Sequence, residues 1–263
     1  MPELAEVEWY RKQWDPGIGD PVVDVKLHAG KYVLRHTGPR ALRQLIGKIL
    51  NGSARHGKQM LFRFSGGYSL GIHLGMTGKM RVEPADFRPG KYDHLVLHQR
   101  ERTLVFSDTR QLGRVRIHSG SDQPDWWKSY PPQIESRGFD RAFFATFLRR
   151  HNQAPIKAVL LMQNGFAGIG NWMADEILWR AGVLPGKRTF RLTTVERDAI
   201  FRATKHVVQR ALETTGNDFA DPPRNWLIHQ KWKRDGVCPK HRTLLRHAIV
   251  GGRSTVWCPK CQR

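Results

Sequence analysis

The chain has 263 residues, 40% of them apolar and 10% aromatic, which suits a soluble globular protein with room for two cores. Its 44 Lys and Arg against 23 Asp and Glu give a formal charge of +21, spread along the whole length, which favours a polyanionic partner. No apolar run approaches the roughly 20 residues a bilayer span requires, the acidic start is unlike a secretory segment, and the cysteines, all beyond residue 237, form no disulfide framework. A cytoplasmic, nucleoid-associated monomer is therefore expected. A membrane surface would attract the same charge, but no stretch joins a basic face to a broad apolar one. Trp and Arg recur instead in loop-like segments, as nucleic-acid binders have them.

At the start, Pro2 with Glu3, Glu6 and Glu8 behind it suits a helix over about residues 3–13, because proline tolerates the missing donor and the acids suit the positive dipole end. The same residues admit chemistry. If Met1 is removed, Pro2 becomes a secondary amine with a pKa of about 8 against about 10.4 for lysine, so roughly 10% of it is unprotonated at pH 7. Its attack on the anomeric carbon of a deoxyribose would give a cationic iminium, an electron sink for base loss and strand cleavage, and Glu3 could move the protons. These residues alone do not separate the two readings.

After a turn at Asp15-Pro16-Gly17 the pattern is strand-like from Pro21 to about Val115. Runs at 22–25, 60–64, 68–74, 95–98 and 103–106 are separated by turn clusters such as Ser65-Gly66-Gly67. Short strands at this spacing predict an antiparallel β-sandwich or barrel. Residues 121–137, with Asp125-Trp126-Trp127 and Pro131-Pro132, lack periodicity and read as a linker. Beyond them Asp140 can cap a helix over about 141–150, and Pro155 opens another with Ile156, Val159, Leu160 and Met162 on one side. Thr193 and Glu196 form a capping box for a long helix ending near Gly216. The expected architecture is α+β and multidomain: a β-sandwich domain over 1–120, the linker, a helical domain over 138–225 and a β-hairpin module over 226–263.

Three motifs stand out. Cys238-Pro-Lys-His241 and Cys258-Pro-Lys-Cys261 place paired ligands two residues apart, and three thiolates with one imidazole complete a closed tetrahedral zinc site, structural because no position is left open. Gly251-Gly252 between them reads as a hairpin turn. Gly168-Ile169-Gly170-Asn171 connects two helices. It either aims N–H groups at a phosphate from the start of a helix over 172–181, or is a plain packing turn. Lys58 follows Arg55-His56-Gly57 at a hairpin tip, where lysine is ordinarily just solvated.

Taken together, Pro2-Glu3-Leu4-Ala5-Glu6, Gly57-Lys58, Gly168-Ile169-Gly170-Asn171 and Gly252-Arg253-Ser254-Thr255 through Cys261 resemble, in order and over essentially the full length, the formamidopyrimidine-DNA glycosylase and endonuclease VIII family. The resemblance implies a β-sandwich, a helical domain with a helix–two-turns–helix element and a zinc hairpin. It implies a DNA glycosylase and AP lyase acting on damaged double-stranded DNA, with single strands as a further possibility. Pro2 would be the Schiff-base nucleophile, Glu3 the proton donor and acceptor, Lys58 an aid to base release or β-elimination, and Arg253 a phosphate ligand assisting δ-elimination. Asn171 would bind backbone phosphate, with Lys157 on the preceding helix as a further contact. Met76 and Arg110 would enter the duplex to fill the gap left by the extruded nucleotide, which otherwise leaves two faces unstacked.

Some residues depart from the family pattern. Ala5 replaces a proline, Leu112 stands where an aromatic wedge is common, Tyr92 replaces a histidine, and His241 replaces a cysteine. The segment between Gly216 and Cys238 is short for a base-covering loop, which favours formamidopyrimidines, oxidised pyrimidines or hydantoin-like lesions over 8-oxoguanine. The competing expectation is a non-catalytic DNA-binding member of the same fold, against which Pro2, Glu3 and Lys58 argue. A catalytic-zinc nuclease is more distant, since four protein ligands leave no place for water.

Overall fold

A computed structural model describes residues 2–28, 32–35 and 37–263. Met1, whose removal would free the Pro2 amine, lies outside the described residues. The chain divides into two compact units: Pro2 with Glu6–Tyr130, and Glu3–Ala5 with Pro131–Arg263. No described helix is long and apolar enough to cross a membrane.

The first unit takes most of the opening helix α1 (Leu4–Lys12), then β1 (Asp24–Leu27), α2 (Pro39–Arg43), β2 (Leu50–His56), β3 (Gln59–Phe64), β4 (Tyr68–His73), β5 (Lys79–Pro84), β6 (Asp93–His98), β7 (Arg102–Ser107), β8 (Arg114–Ser119) and α3 (Asp125–Lys128). The strands form two four-stranded antiparallel sheets, in the orders β1-β6-β7-β5 and β2-β3-β4-β8. One core joins them: Phe62, Leu70 and Ile72 come from one sheet, Leu97, Leu104 and Phe106 from the other, with Trp14 fully buried among them. Trp14 lies 4.8 Å from the Phe62 ring and donates its indole N–H to the Val105 carbonyl at 3.3 Å, so a large apolar body is buried without an orphaned donor.

The sandwich agrees with the pattern, but three of its strands escape the apolar-run criterion. β5 and β8 alternate charged and apolar residues, and β2 is mostly small and polar. The expected linker is corrected more sharply. Its first half folds as α3 and belongs to the first unit, because Gly71 leaves room for Trp126: a Cβ there would lie 2.3 Å from the indole. Trp127 packs edge-on against His56 and Tyr130, with centroids 5.8 Å away in each case.

The second unit contains α4 (Arg141–Arg150), α5 (Ile156–Leu160), α6 (Asn171–Ala181), α7 (Thr194–Glu213), α8 (Thr215–Asp218), α9 (Ile228–Lys231), β9 (Arg246–Val250) and β10 (Arg253–Trp257). Both predicted caps form: Asp140 accepts from Phe143 N–H at 2.7 Å, and Thr193 with Glu196 closes the capping box. Leu4, Ala5, Phe139, Phe144, Phe166 and Ile169 share one core with the inner faces of α6 and α7. The C-terminal module, expected as a separate domain, is part of this unit. Its small core of Leu227, Leu245 and Val256 closes on Trp179 of α6. Gly251 and Gly252 take φ of 59° and 72°, the left-handed pair of a two-residue hairpin turn, and set Arg253 opposite Val250.

Candidate active site and metal centre

In the second unit the glycines before α6 admit the N-terminal segment. Leu4 N–H donates to the Gly168 carbonyl at 3.1 Å. The buried Glu3 carboxylate accepts from Gly170 N–H at 3.0 Å, Trp172 N–H at 3.0 Å and Met173 N–H at 3.2 Å. The anion at the start of α6 is thus Glu3 and not an external phosphate, which corrects that reading of the glycine motif. Three backbone donors and the helix dipole hold the carboxylate in place. A Cβ on Gly170 would lie 2.1 Å from Glu3 Cδ. Gly170→Ala is therefore expected to cost about 1–3 kcal/mol and to lower Tm by roughly 3–10 °C. An unchanged Tm in calorimetry would mean Glu3 leaves the helix end freely.

In the first unit Pro2 lines a cavity of about 570 Å³ with Met76, Thr77, Tyr92, Asp93 and Ser107. Met76 is 40% exposed, not a core methionine, and Arg110 Nη1 lies 3.3 Å from its sulfur. Leu112, 43% exposed, follows Gln111 in a left-handed conformation of φ 54°. The two loops are tied by buried Asp108, which accepts from Thr77 Oγ1 at 2.5 Å, Arg110 N–H at 3.2 Å and Gly113 N–H at 2.7 Å. Exposed Met76 from one loop and Arg110 and Leu112 from another, more than 30 positions on, are thus brought together. Lys58 sits half-buried on the β2–β3 turn, where Gly57 takes φ 56°. Burial, with Arg114, Lys58, Arg116 and Arg35 nearby, pushes His73 down to about 4, so the imidazole is neutral in a cationic neighbourhood.

Back in the second unit, Asn171 opens α6 and donates from Nδ2 to Ser254 Oγ at 3.3 Å, while its buried Oδ1 has no partner among the described residues. Arg253 is exposed beside Ser254, at the start of β10. Lys157 is not with them at the surface. It is fully buried, with its ammonium on Asp175 Oδ1 at 2.6 Å, so the expected phosphate contact is withdrawn.

Cys238, His241, Cys258 and Cys261 bring their ligand atoms within 4.8 Å of one another, an arrangement able to hold a metal ion. The donor set fits a dication. Burial and the adjacent Cys258 and Cys238 sulfurs push Cys261 up to about 12. Burial also opposes ionisation of Cys238, but hydrogen bonds from Trp179 and His241 bring it down to about 6. Crowded sulfurs of this kind ionise together when a cation sits among them.

Residues 1–115 match the family described as Formamidopyrimidine-DNA glycosylase N-terminal domain, and residues 131–221 its H2TH domain. The formamidopyrimidine-DNA glycosylase of Thermus thermophilus is 33% identical over 100% of this chain and 98% of its own. The chain belongs to the formamidopyrimidine-DNA glycosylase family. Among solved structures, the Lactococcus lactis enzyme with DNA containing an oxidised pyrimidine is 30% identical, with a TM-score of 0.88 and 100% of both chains covered. The same enzyme with abasic-site DNA gives 27% identity and a TM-score of 0.89 over 99% of both chains.

Two acidic residues of this glycosylase-family chain were invisible to sequence reasoning. Asp175 and Glu176, adjacent on α6, look like a solvated pair, yet both are buried. Burial pushes Glu176 up to about 7 against the opposing pull of Arg180, whose Nε lies 2.7 Å away, and of Leu227 N–H, also at 2.7 Å. Lys231, described below, was missed for the same reason: a lysine beside an exposed-looking tryptophan carries no signal of burial. Asp108 left a faint mark, since an Asp two residues before Arg110 can turn back onto the backbone.

Proposed function

We propose that this family member is a bifunctional DNA glycosylase and AP lyase acting on formamidopyrimidines or oxidised pyrimidines in double-stranded DNA. The observation that carries the reading is Pro2 on the wall of the 570 Å³ cavity that Met76 and Tyr92 also line, a volume suited to an extruded nucleoside. The Pro2 nitrogen attacks C1′, displaces the base and gives up its own proton; the C1′–O4′ bond then opens, O4′ takes a proton, and C1′ is left as a cationic iminium on Pro2. Loss of a C2′ proton then breaks the C3′–O bond, and loss of a C4′ proton breaks the C5′–O bond. Glu3, fixed by three N–H groups and next to Pro2 in the chain, moves protons at the sugar. Lys58 assists base release, Asn171 and Arg253 hold phosphate, and the Met76–Arg110–Leu112 cluster fills the vacated stack.

The metal is zinc, held by Cys238, His241, Cys258 and Cys261, whose four ligands close the site and give it a structural part. The short segment between α8 and α9, anchored by buried Trp226 and Leu227, has little slack to fold over a base, which supports the choice of substrate. The test is a panel of lesion-bearing duplexes and single strands with products resolved by end group. Formamidopyrimidine and oxidised-pyrimidine duplexes are expected to be nicked. Binding without any nicking, on abasic duplex included, would favour a non-catalytic DNA-binding protein.

A further inference from the structure

Beneath the strand that starts at Arg253, two lysines from different elements converge on one carboxylate. Lys157 of α5 donates to Asp175 Oδ1 at 2.6 Å and to the Ser254 carbonyl at 3.0 Å. Lys231, the last residue of α9, pairs with Asp175 Oδ2 and lies 3.4 Å from the same carbonyl. Asp175 Oδ2 also accepts Val256 N–H at 3.3 Å. The side chains of Lys157, Asp175 and Lys231 are 0%, 1% and 2% exposed. One carboxylate for two ammoniums leaves a buried excess of positive charge. A second buried cation on an already paired acid adds desolvation and repulsion that a methionine would not, so stability alone gives no reason for Lys231.

Its contacts give one. Ser254 is held on both sides: Asn171 Nδ2 reaches its hydroxyl at 3.3 Å and the two ammoniums reach its carbonyl. Val256 is fixed two residues on. We propose that the Lys157–Asp175–Lys231 cluster positions Arg253 for its phosphate, clamping the next residue of the strand against α6 and adding positive charge behind it. Lys157 and Lys231 are positioning residues and need not touch DNA.

The inference rests on the reading of Arg253 given above and adds a signature of its own. Burial pulls Lys157 down to about 8; Asp175 from α6 and Glu3 from the N-terminal segment draw it up, and Lys231 from α9 pushes it further down. Above that pH the cluster loses its excess charge. Removing Lys231 removes the repulsion, so Lys157 should keep its proton to higher pH.

The experiment uses the full metal-loaded chain on abasic duplex, with β- and δ-elimination products resolved by end group across pH 6–10. Lys231→Met is expected to keep its metal and its borohydride trapping, to lower the δ share roughly tenfold, as a displaced reacting group does, and to move the alkaline decline upward in pH. Lys157→Met is expected to lower the δ share and abolish that decline. A parent-like δ share and pH profile in both variants, with Arg253→Gln losing δ product, would overturn the inference alone. Absence of δ product from the parent, or its survival in Arg253→Gln, would overturn the Arg253 assignment and the inference with it. Should Lys231→Met lose its metal, Lys157→Met, which leaves a single lysine on Asp175, decides by the same criteria.

Discussion

Pro2→Gly is expected to reduce borohydride trapping on abasic duplex by roughly 10³-fold or more, the scale on which loss of a covalent nucleophile acts. A secondary amine condenses to an iminium whose charge needs no added proton, so it withdraws electrons at any pH. Glycine offers a primary amine whose imine must first be protonated, on a backbone without the proline ring to restrain it. The half-buried position of Pro2 on the cavity wall limits how far a replacement can wander and still react. A form retaining Met1 makes the sharper control, because a Met–Pro amide has no basic nitrogen. Trapping at the parent rate by either protein would remove Pro2 from the reaction.

Removal of the metal is the second large effect. The hairpin has little apolar core of its own: Trp179, Leu227, Leu245 and Val256 lie beside two of the ligand cysteines, the contacts of Ser254 and Val256 hold β10 alone, and four of the five β9 residues are exposed. Structural zinc contributes about 10–16 kcal/mol at pH 7 in small metal-folded modules, more than such a core could replace. Chelation, or Cys258→Ser, is expected to unfold β9 and β10 and with them the support of Arg253. Tryptophan emission reports it, since the Trp179 indole N–H lies 3.3 Å from Cys238 Sγ. A metal-free protein with unchanged Trp179 emission and unchanged strand cleavage would show that the hairpin stands without its ion.

Local signals in the sequence carried furthest. Asp140 and the Thr193–Glu196 box mark α4 and α7 because a cap is decided within one turn of chain. The ligand spacing of Cys238 to Cys261 and the turn at Gly251-Gly252 are equally local. What depended on distant chain stayed hidden. β8 alternates arginine with valine and isoleucine, so nothing in it announces a strand until β4 lies alongside. Trp126 makes sense only beside Gly71. Lys157 has the composition of a phosphate ligand and becomes a buried support only because Asp175, Lys231 and Ser254 meet it from elsewhere. The glycines at 168 and 170 were visible as a tight connection, but not that Glu3 would occupy it.

That occupation links Glu3 to Met173 across 170 positions of chain, a contact of high order that forms slowly compared with a helix cap. On a ribosome the N-terminal amine emerges first, whereas the residues that anchor its neighbour follow roughly 10–30 s later at ordinary elongation rates. Until then the Glu3 carboxylate and the apolar Leu4 and Ala5 have no place to settle, although the rest of α1 can already form behind them. A chain stopped short of the Gly168–Met173 segment would hold Pro2 beside an unanchored Glu3, so the order of synthesis itself delays the seating of that carboxylate until most of the protein exists.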